Sequence, residues 1–259
     1  MASVPGNTTN VFDPIIPVDQ SVYEESSTQK ARLGTRLRLA DRTFFYARLS
    51  TSANVVAGDV LTAPLLVASH QSGIVSAAST ATGASVINVT MGTAVTANQY
   101  AEGYINFADS AVAGGGWIFK IKSHPAIATA ATGQITLYDA IPGSLGAQAI
   151  NLTPNPFSLV RVGSAALALP IGVAPVAVTT GNYFWIQTWG PAAPRHTGAT
   201  VAAGALALGT LGGVTNFIAT GTLGSTGNAP VDYNVIIGKN WNLAATATQF
   251  NPVMLNILP

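Results

Sequence analysis

Apolar runs in this chain are short, and Gly, Pro, Asn or Thr closes nearly every one of them. Residues 86–91, 104–108, 134–138, 158–162, 183–188, 233–237 and 253–258 are dominated by β-branched and aromatic side chains, which suit a pleated, half-buried surface. Thr132-Gly133, Pro142-Gly143, Asn155-Pro156, Gly181-Asn182 and Gly227-Asn228 separate such runs as turns. Residues 36–39 alternate Arg and Leu, Ala40-Asp41-Arg42 reads as a turn, and 43–49 is aromatic and strand-like. Trp117, Phe119 and Ile121 fall on one strand face and Ile118, Lys120 and Lys122 on the other, because successive strand side chains point to opposite sides. Only the Ala-rich windows 76–84 and 201–208 offer a helix, and neither has a capping box or a charged face. The pattern predicts an all-β chain with a sandwich or barrel body of short strands.

A length of 259 residues allows one large or two medium β-rich units with a real core. The Pro/Asn-rich stretch 151–157 is the best boundary, placing a first β-rich lobe at 31–155 and a second at 156–259. The first 30 residues hold Pro5, Pro14, Pro17 and polar runs, which suits an extended N-terminal arm. A free tail has no need of apolar side chains, so Phe12, Ile15 and Ile16 are expected to dock on a neighbour. No basic or apolar leader segment opens the chain, so no secretory signal is expected.

Charge is scarce. Only 8% of the residues are charged, against roughly 25% in an average soluble domain. A compact monomer of this mass exposes on the order of 10,600 Å², or about one charge per 500 Å². That cover is thin for a free particle, and a net charge of +1 excludes both a globally basic nucleic-acid binder and a charge-driven disordered chain. A membrane span is not expected either: the longest apolar stretch, 165–178, is short and carries Pro170 and Pro175, whereas a spanning helix needs about 20 apolar residues.

Catalytic signatures are missing. His70, His124 and His196 are far apart in sequence, Cys is absent, and no HExxH pair occurs, so no metal or cofactor is expected. Lys122-Ser123-His124-Pro125 reads as a strand end before a turn, and Ser27-Thr28-Gln29-Lys30 lacks the companion elements of an acyl-transfer enzyme. Between residues 50 and 230 the carboxylates are Asp59, Glu102, Asp109 and Asp139, too few to expect a facing acid pair. The expectation is a protein that is not an enzyme.

Six of the 11 basic residues lie between Lys30 and Arg48: Lys30, Arg32, Arg36, Arg38, Arg42 and Arg48, beside Phe44, Phe45 and Tyr46. Three readings compete: a solvated hairpin face, phosphate contacts with aromatic stacking, or guanidinium forks paired with a partner protein's carboxylates. The partner reading is favoured, with Arg32, Arg36, Arg38, Arg42 and Arg48 as contact residues, and nucleic acid comes last.

Leu33-Gly34-Thr35-Arg36, the run from Ala40 to Arg48, and Val56-Ala57-Gly58-Asp59-Val60 together resemble a loose group of tailed-bacteriophage virion proteins. Further matches are Ala97-Asn98-Gln99-Tyr100-Ala101-Glu102-Gly103-Tyr104, the run from Phe119 to Ala126 and the run from Tyr183 to Pro191. Ala40 and Phe45 depart from the pattern, which has a turn glycine region and an Arg there. The resemblance implies a capsid decoration, or cement, protein on the outer surface of the virion. It would be β-rich, trimeric and bound to the major capsid protein lattice, with a terminal arm reaching neighbouring subunits. Other expectations kept open are a tail, baseplate or fibre component, and a carbohydrate-binding β module using Trp117, Trp185, Trp189 and Trp241. Assembly would cover charge-free strand edges that otherwise aggregate.

Overall fold

The computed structural model describes residues 19–71, 74–162, 169–196, 206–210, 213–217, 236–241 and 250–258. The fold is all-β, as expected: the described residues form no α-helix, only a 3-10 turn at Ala68–His70. Strands β1 (Arg36–Leu39), β2 (Arg42–Arg48) and β3 (Val60–Thr62) start a large sheet. The chain then leaves it for a barrel made of β4 (Ile74–Ser76), β5 (Val86–Thr90), β6 (Tyr104–Phe107), β7 (Ile118–Ser123), β8 (Thr132–Leu137) and β9 (Ala149–Thr153). It returns to the sheet with β10 (Arg161–Val162), β11 (Pro170–Val173), β12 (Tyr183–Ala192), β13 (Leu206–Thr210), β14 (Gly213–Phe217), β15 (Ile236–Asn240) and β16 (Val253–Asn256).

The barrel closes in the order β4-β5-β8-β7-β6-β9, all antiparallel. Alternation explains it. Ile87 and Val89, Ile105 and Phe107, Ile135 and Leu137, and Ile150 and Leu152 each sit two apart and point inward, where they fill the interior. Val86 and Ile118 face out, with Asn88, Gln134 and the Thr90–Thr132 hydroxyl pair. Gly133 pairs with Val89, and a Cβ there would collide with the Ile127 side chain.

In the sheet, β2 and β12 form the central antiparallel pair, with Tyr46 opposite Trp185 and Phe45 opposite Ile186. Phe44, Tyr46, Phe184, Trp185 and Ile186 are all fully buried, so both faces of this pair are covered. On one face Phe45 stacks on Phe157 with centroids 4.9 Å apart. Burying each such side chain is worth roughly 1.5–3 kcal/mol. Gly190 sits at φ +84 where any Cβ would strike the Asp41 carbonyl, so the hairpin turn and β12 meet through this glycine.

Pairing crosses the 155/156 boundary: β2 pairs with β12, and β3 with β10 and β11. The barrel is therefore an insertion in the sheet, and 151–157 is where the chain passes from one to the other. The Ala-rich window 76–84 forms no helix. It begins in β4 and continues as turns, with Thr80 bridged to Leu145 and Gly83 at φ +85; nothing capped or polarised that window toward a helix. In the second window, 206–208 belongs to β13 and 201–205 lies outside the described residues.

Candidate partner-binding site

The β1–β2 hairpin turns through Ala40 and Asp41, with Leu39 opposite Arg42, Arg38 opposite Thr43 and Arg36 opposite Phe45. Paired residues share a face, so Arg36 and Arg38 lie on the side of Thr43 and Phe45, while Arg42 and Arg48 lie with Phe44 and Tyr46. The basic cluster is thus split between two faces. Arg36 and Arg38 are exposed on β1, which among the described residues pairs only with β2. Arg42 donates from Nη1 to the Tyr23 hydroxyl at 2.8 Å and covers the Phe44 ring at 5.6 Å. Arg48 is half-buried, donating from Nε to the Gly181 carbonyl at 3.2 Å and lying 5.4 Å from the Tyr183 ring centre. Arg32 reaches the barrel side, 4.9 Å over the Tyr138 ring. Phe12, Ile15 and Ile16 lie outside the described residues.

The described part of the expected arm does not extend away. Gln20 donates to the carbonyls of Glu24 at 2.9 Å and Tyr183 at 3.0 Å, and its own carbonyl accepts from Trp185 Nε1 at 3.2 Å. The Tyr46 hydroxyl donates to Gln20 Oε1 at 2.8 Å, Ser26 bridges Tyr183, and Val22 is buried. Residues 19–30 are fixed to the chain's own sheet because buried hydroxyl, amide and indole groups there need partners. The Tyr46 hydroxyl pKa is raised by burial.

Five of the eight described carboxylates serve the chain's own backbone. Glu25 accepts from the Thr179 N–H at 2.6 Å, the Thr179 hydroxyl and Asn182, and despite some desolvation these bonds hold it below the usual Glu value. Glu102 accepts from the Leu33 N–H at 2.7 Å and from Gln29, tying the barrel to the segment before β1. Asn155 reinforces that tie with bonds to the Leu33 and Glu102 carbonyls. Asp59 is buried, accepts from the Val56 N–H and pairs with Arg195 at 2.8 Å. Glu24 and Asp109 accept from nearby backbone N–H groups in turns.

His70 and His124, distant in sequence, meet at Tyr100. His70 Nδ1 is 2.6 Å from the Tyr100 hydroxyl, and the Tyr100 N–H donates to His124 Nε2 at 3.1 Å. Burial pushes Tyr100 up to about 12 and holds His124 and His196 below the ordinary His value. Neither imidazole bonds a carboxylate among the described residues, and no group of three metal-ligating side chains forms among them. Of the tryptophans, Trp185 is core and Trp117 packs on the barrel interior, while Trp189 and Trp241 are 39% and 63% exposed. No described helix is long and apolar enough to cross a membrane. Comparison of the chain with protein-family models, with curated protein sequences and with solved structures finds no match.

Gln20, Glu102 and Asn155 carry much of this arrangement, and sequence reading gave them no role. Each is a single polar residue whose partner lies far along the chain, and no spacing rule marks such contacts.

Proposed function

We propose that this chain is a non-enzymatic virion structural protein that decorates and stabilises a phage capsid. It would bind the major capsid protein lattice from the outside, as a trimer. The observation that carries the reading is the separation of charge described above. Five carboxylates, Glu24, Glu25, Asp59, Glu102 and Asp109, are turned onto the chain's own groups and Asp19, Asp41 and Asp139 stay exposed, while Lys30, Arg32 and Arg38 stand exposed around the first hairpin. Edge protection of β1 by charge accounts for Arg38 but not for Lys30 and Arg32, which precede the strand. Exposed guanidinium forks suit carboxylates on a partner. Self-association is supported by exposed apolar side chains: Leu65 and Leu66 follow Ala63, whose N–H bonds the carbonyl of exposed Leu169.

Co-sedimentation with undecorated capsids tests the proposal. Near-stoichiometric binding to the major capsid protein is expected, weakened at least tenfold in Arg32→Glu/Arg38→Glu. A handful of copies per particle, or binding indifferent to both charge reversals, overturns it. Light scattering is expected to give three copies in solution, and a monomer refutes the trimer. The exposure of Trp189 and Trp241 favours a second reading, a carbohydrate-binding module, since indole faces stack on sugar rings. A glycan array that stays blank removes that reading.

A further inference from the structure

We propose that residues 95–103 form an acid-released clasp joining the barrel to the sheet, held shut by neutral His124. This stretch, between β5 and β6, touches three separate parts of the chain. It follows the end of β7 through Val95–Ile127 bonds in both directions and through the bond from the Glu102 N–H to the Ile121 carbonyl at 2.9 Å. Asn98 and His124 bond reciprocally, each N–H at 3.0 Å from the other residue's oxygen. It meets the 3-10 turn by which the chain leaves the sheet through Tyr100 and His70. It holds the segment before β1 through the Glu102 carboxylate on Leu33 and Gln29.

The protonation state of His124 follows from its partners. A backbone N–H only donates, so Nε2, which receives the Tyr100 N–H, must present a lone pair. A carbonyl only accepts, so the proton sits on Nδ1, 2.8 Å from the Pro125 oxygen. A second proton on Nε2 would expel the Tyr100 N–H and place a cation in a buried site. The other titratable groups on the surrounding elements are Tyr100 and Glu102 of the clasp, His70 of the 3-10 turn, Lys120 and Lys122 of β7, and Lys30 and Arg32 of the tethered segment. None of these bonds the His124 imidazole as a counter-anion, so nothing within the closed clasp favours its charged form.

Opening exposes the His124 ring to water, where it takes up a proton near the ordinary His pKa of 6.5. A histidine neutral when closed and free when open raises the opening constant up to about 25-fold between pH 7 and pH 5. Hydrogen exchange of the full chain, corrected for the intrinsic pH dependence of the amide rate, reads this directly. The amides of Asn98, Tyr100, Glu102 and Leu33 are expected to lose protection at pH 5, while those of β5 and β8 keep theirs. His124→Gln keeps an acceptor for Tyr100 and a donor for Pro125 without titrating, and is expected to abolish the loss. Unchanged wild-type protection at pH 5, or an equal loss in His124→Gln, overturns the proposal. If that variant fails to fold, imidazole NMR titration of the wild type decides. A His124 ring that stays neutral until the clasp amides open supports the clasp, and one that titrates near 6.5 with those amides still protected overturns it.

Discussion

Replacing Tyr46 with Phe deletes a single oxygen from a site without solvent access. That oxygen donates to Gln20 Oε1 at 2.8 Å and accepts the Lys30 N–H at 3.0 Å. Gln20 has no easy way to reorganise, because its Nε2 already serves the Glu24 and Tyr183 carbonyls. The ring contacts survive: Trp185 still meets the ring edge to face at 5.0 Å and Tyr183 still stacks at 6.1 Å. The change therefore isolates two hydrogen bonds from packing. An orphaned buried polar group costs about 1–3 kcal/mol, and the Lys30 end lies in an exposed segment that water reaches. A net loss of about 2 kcal/mol is expected. Urea denaturation should show a lower midpoint with the same slope, since the surface exposed on unfolding is unchanged. Tyr183→Phe is the control, because the Tyr183 hydroxyl makes no hydrogen bond among the described residues, and it should fall within about 0.5 kcal/mol of the parent. Hydrogen exchange should find the Tyr46→Phe loss concentrated in residues 19–30. A loss below about 0.5 kcal/mol, or one spread evenly over barrel and sheet, would refute the anchoring of this segment on the sheet.

Asp59→Ala leaves the Val56 N–H and Arg195 without their carboxylate. Arg195 is partly solvated, so a cost of about 2 kcal/mol in chemical denaturation is expected, below that of a fully buried pair. Tyr100, held at about 12 by burial against an ordinary value of 10.0, favours the folded state fully below pH 10. That contribution, about 3 kcal/mol, is lost as pH rises from 10 through 12, and tyrosinate absorbance should rise together with unfolding. Ala40 sits at φ +51 in the hairpin turn, so Ala40→Gly should raise the thermal midpoint by relieving about 1 kcal/mol of backbone strain, less the added entropy of the unfolded chain.

Strand content was legible because the signal is local. Alternation in 86–91 and 104–108 and the aromatic run after Ala40 needed only near neighbours to declare a face. β9 and β11 were not legible: one runs into a Pro/Asn-rich stretch and the other begins at Pro170, where a missing N–H is tolerated at a strand start. The basic hairpin was found by counting charge, yet its division between two faces depends on register, and the inward turn of Arg48 on a carbonyl at Gly181. The meeting of His70, Tyr100 and His124 depends on barrel closure, which no spacing in the sequence encodes.

The insertion of the barrel between β3 and β10 has a kinetic side. Pairing Leu61 with Val162 closes a loop of roughly 100 residues in an open chain. Once Ile74 is paired with Ile150, the path between the same ends shortens to roughly 25 residues. The logarithmic cost of closure then falls by about 1.2 kcal/mol, roughly an eightfold gain in the chance of the sheet strands meeting. The barrel would act as a splint that folds first and delivers both halves of the sheet to each other. Pulse-labelled exchange during refolding should therefore protect β5 and β8 before β2 and β12, and the reverse order would show that the sheet assembles unaided. A lesion deep in the barrel, such as a larger residue at Gly133, would then appear first as a slow or misassembled sheet some distance away.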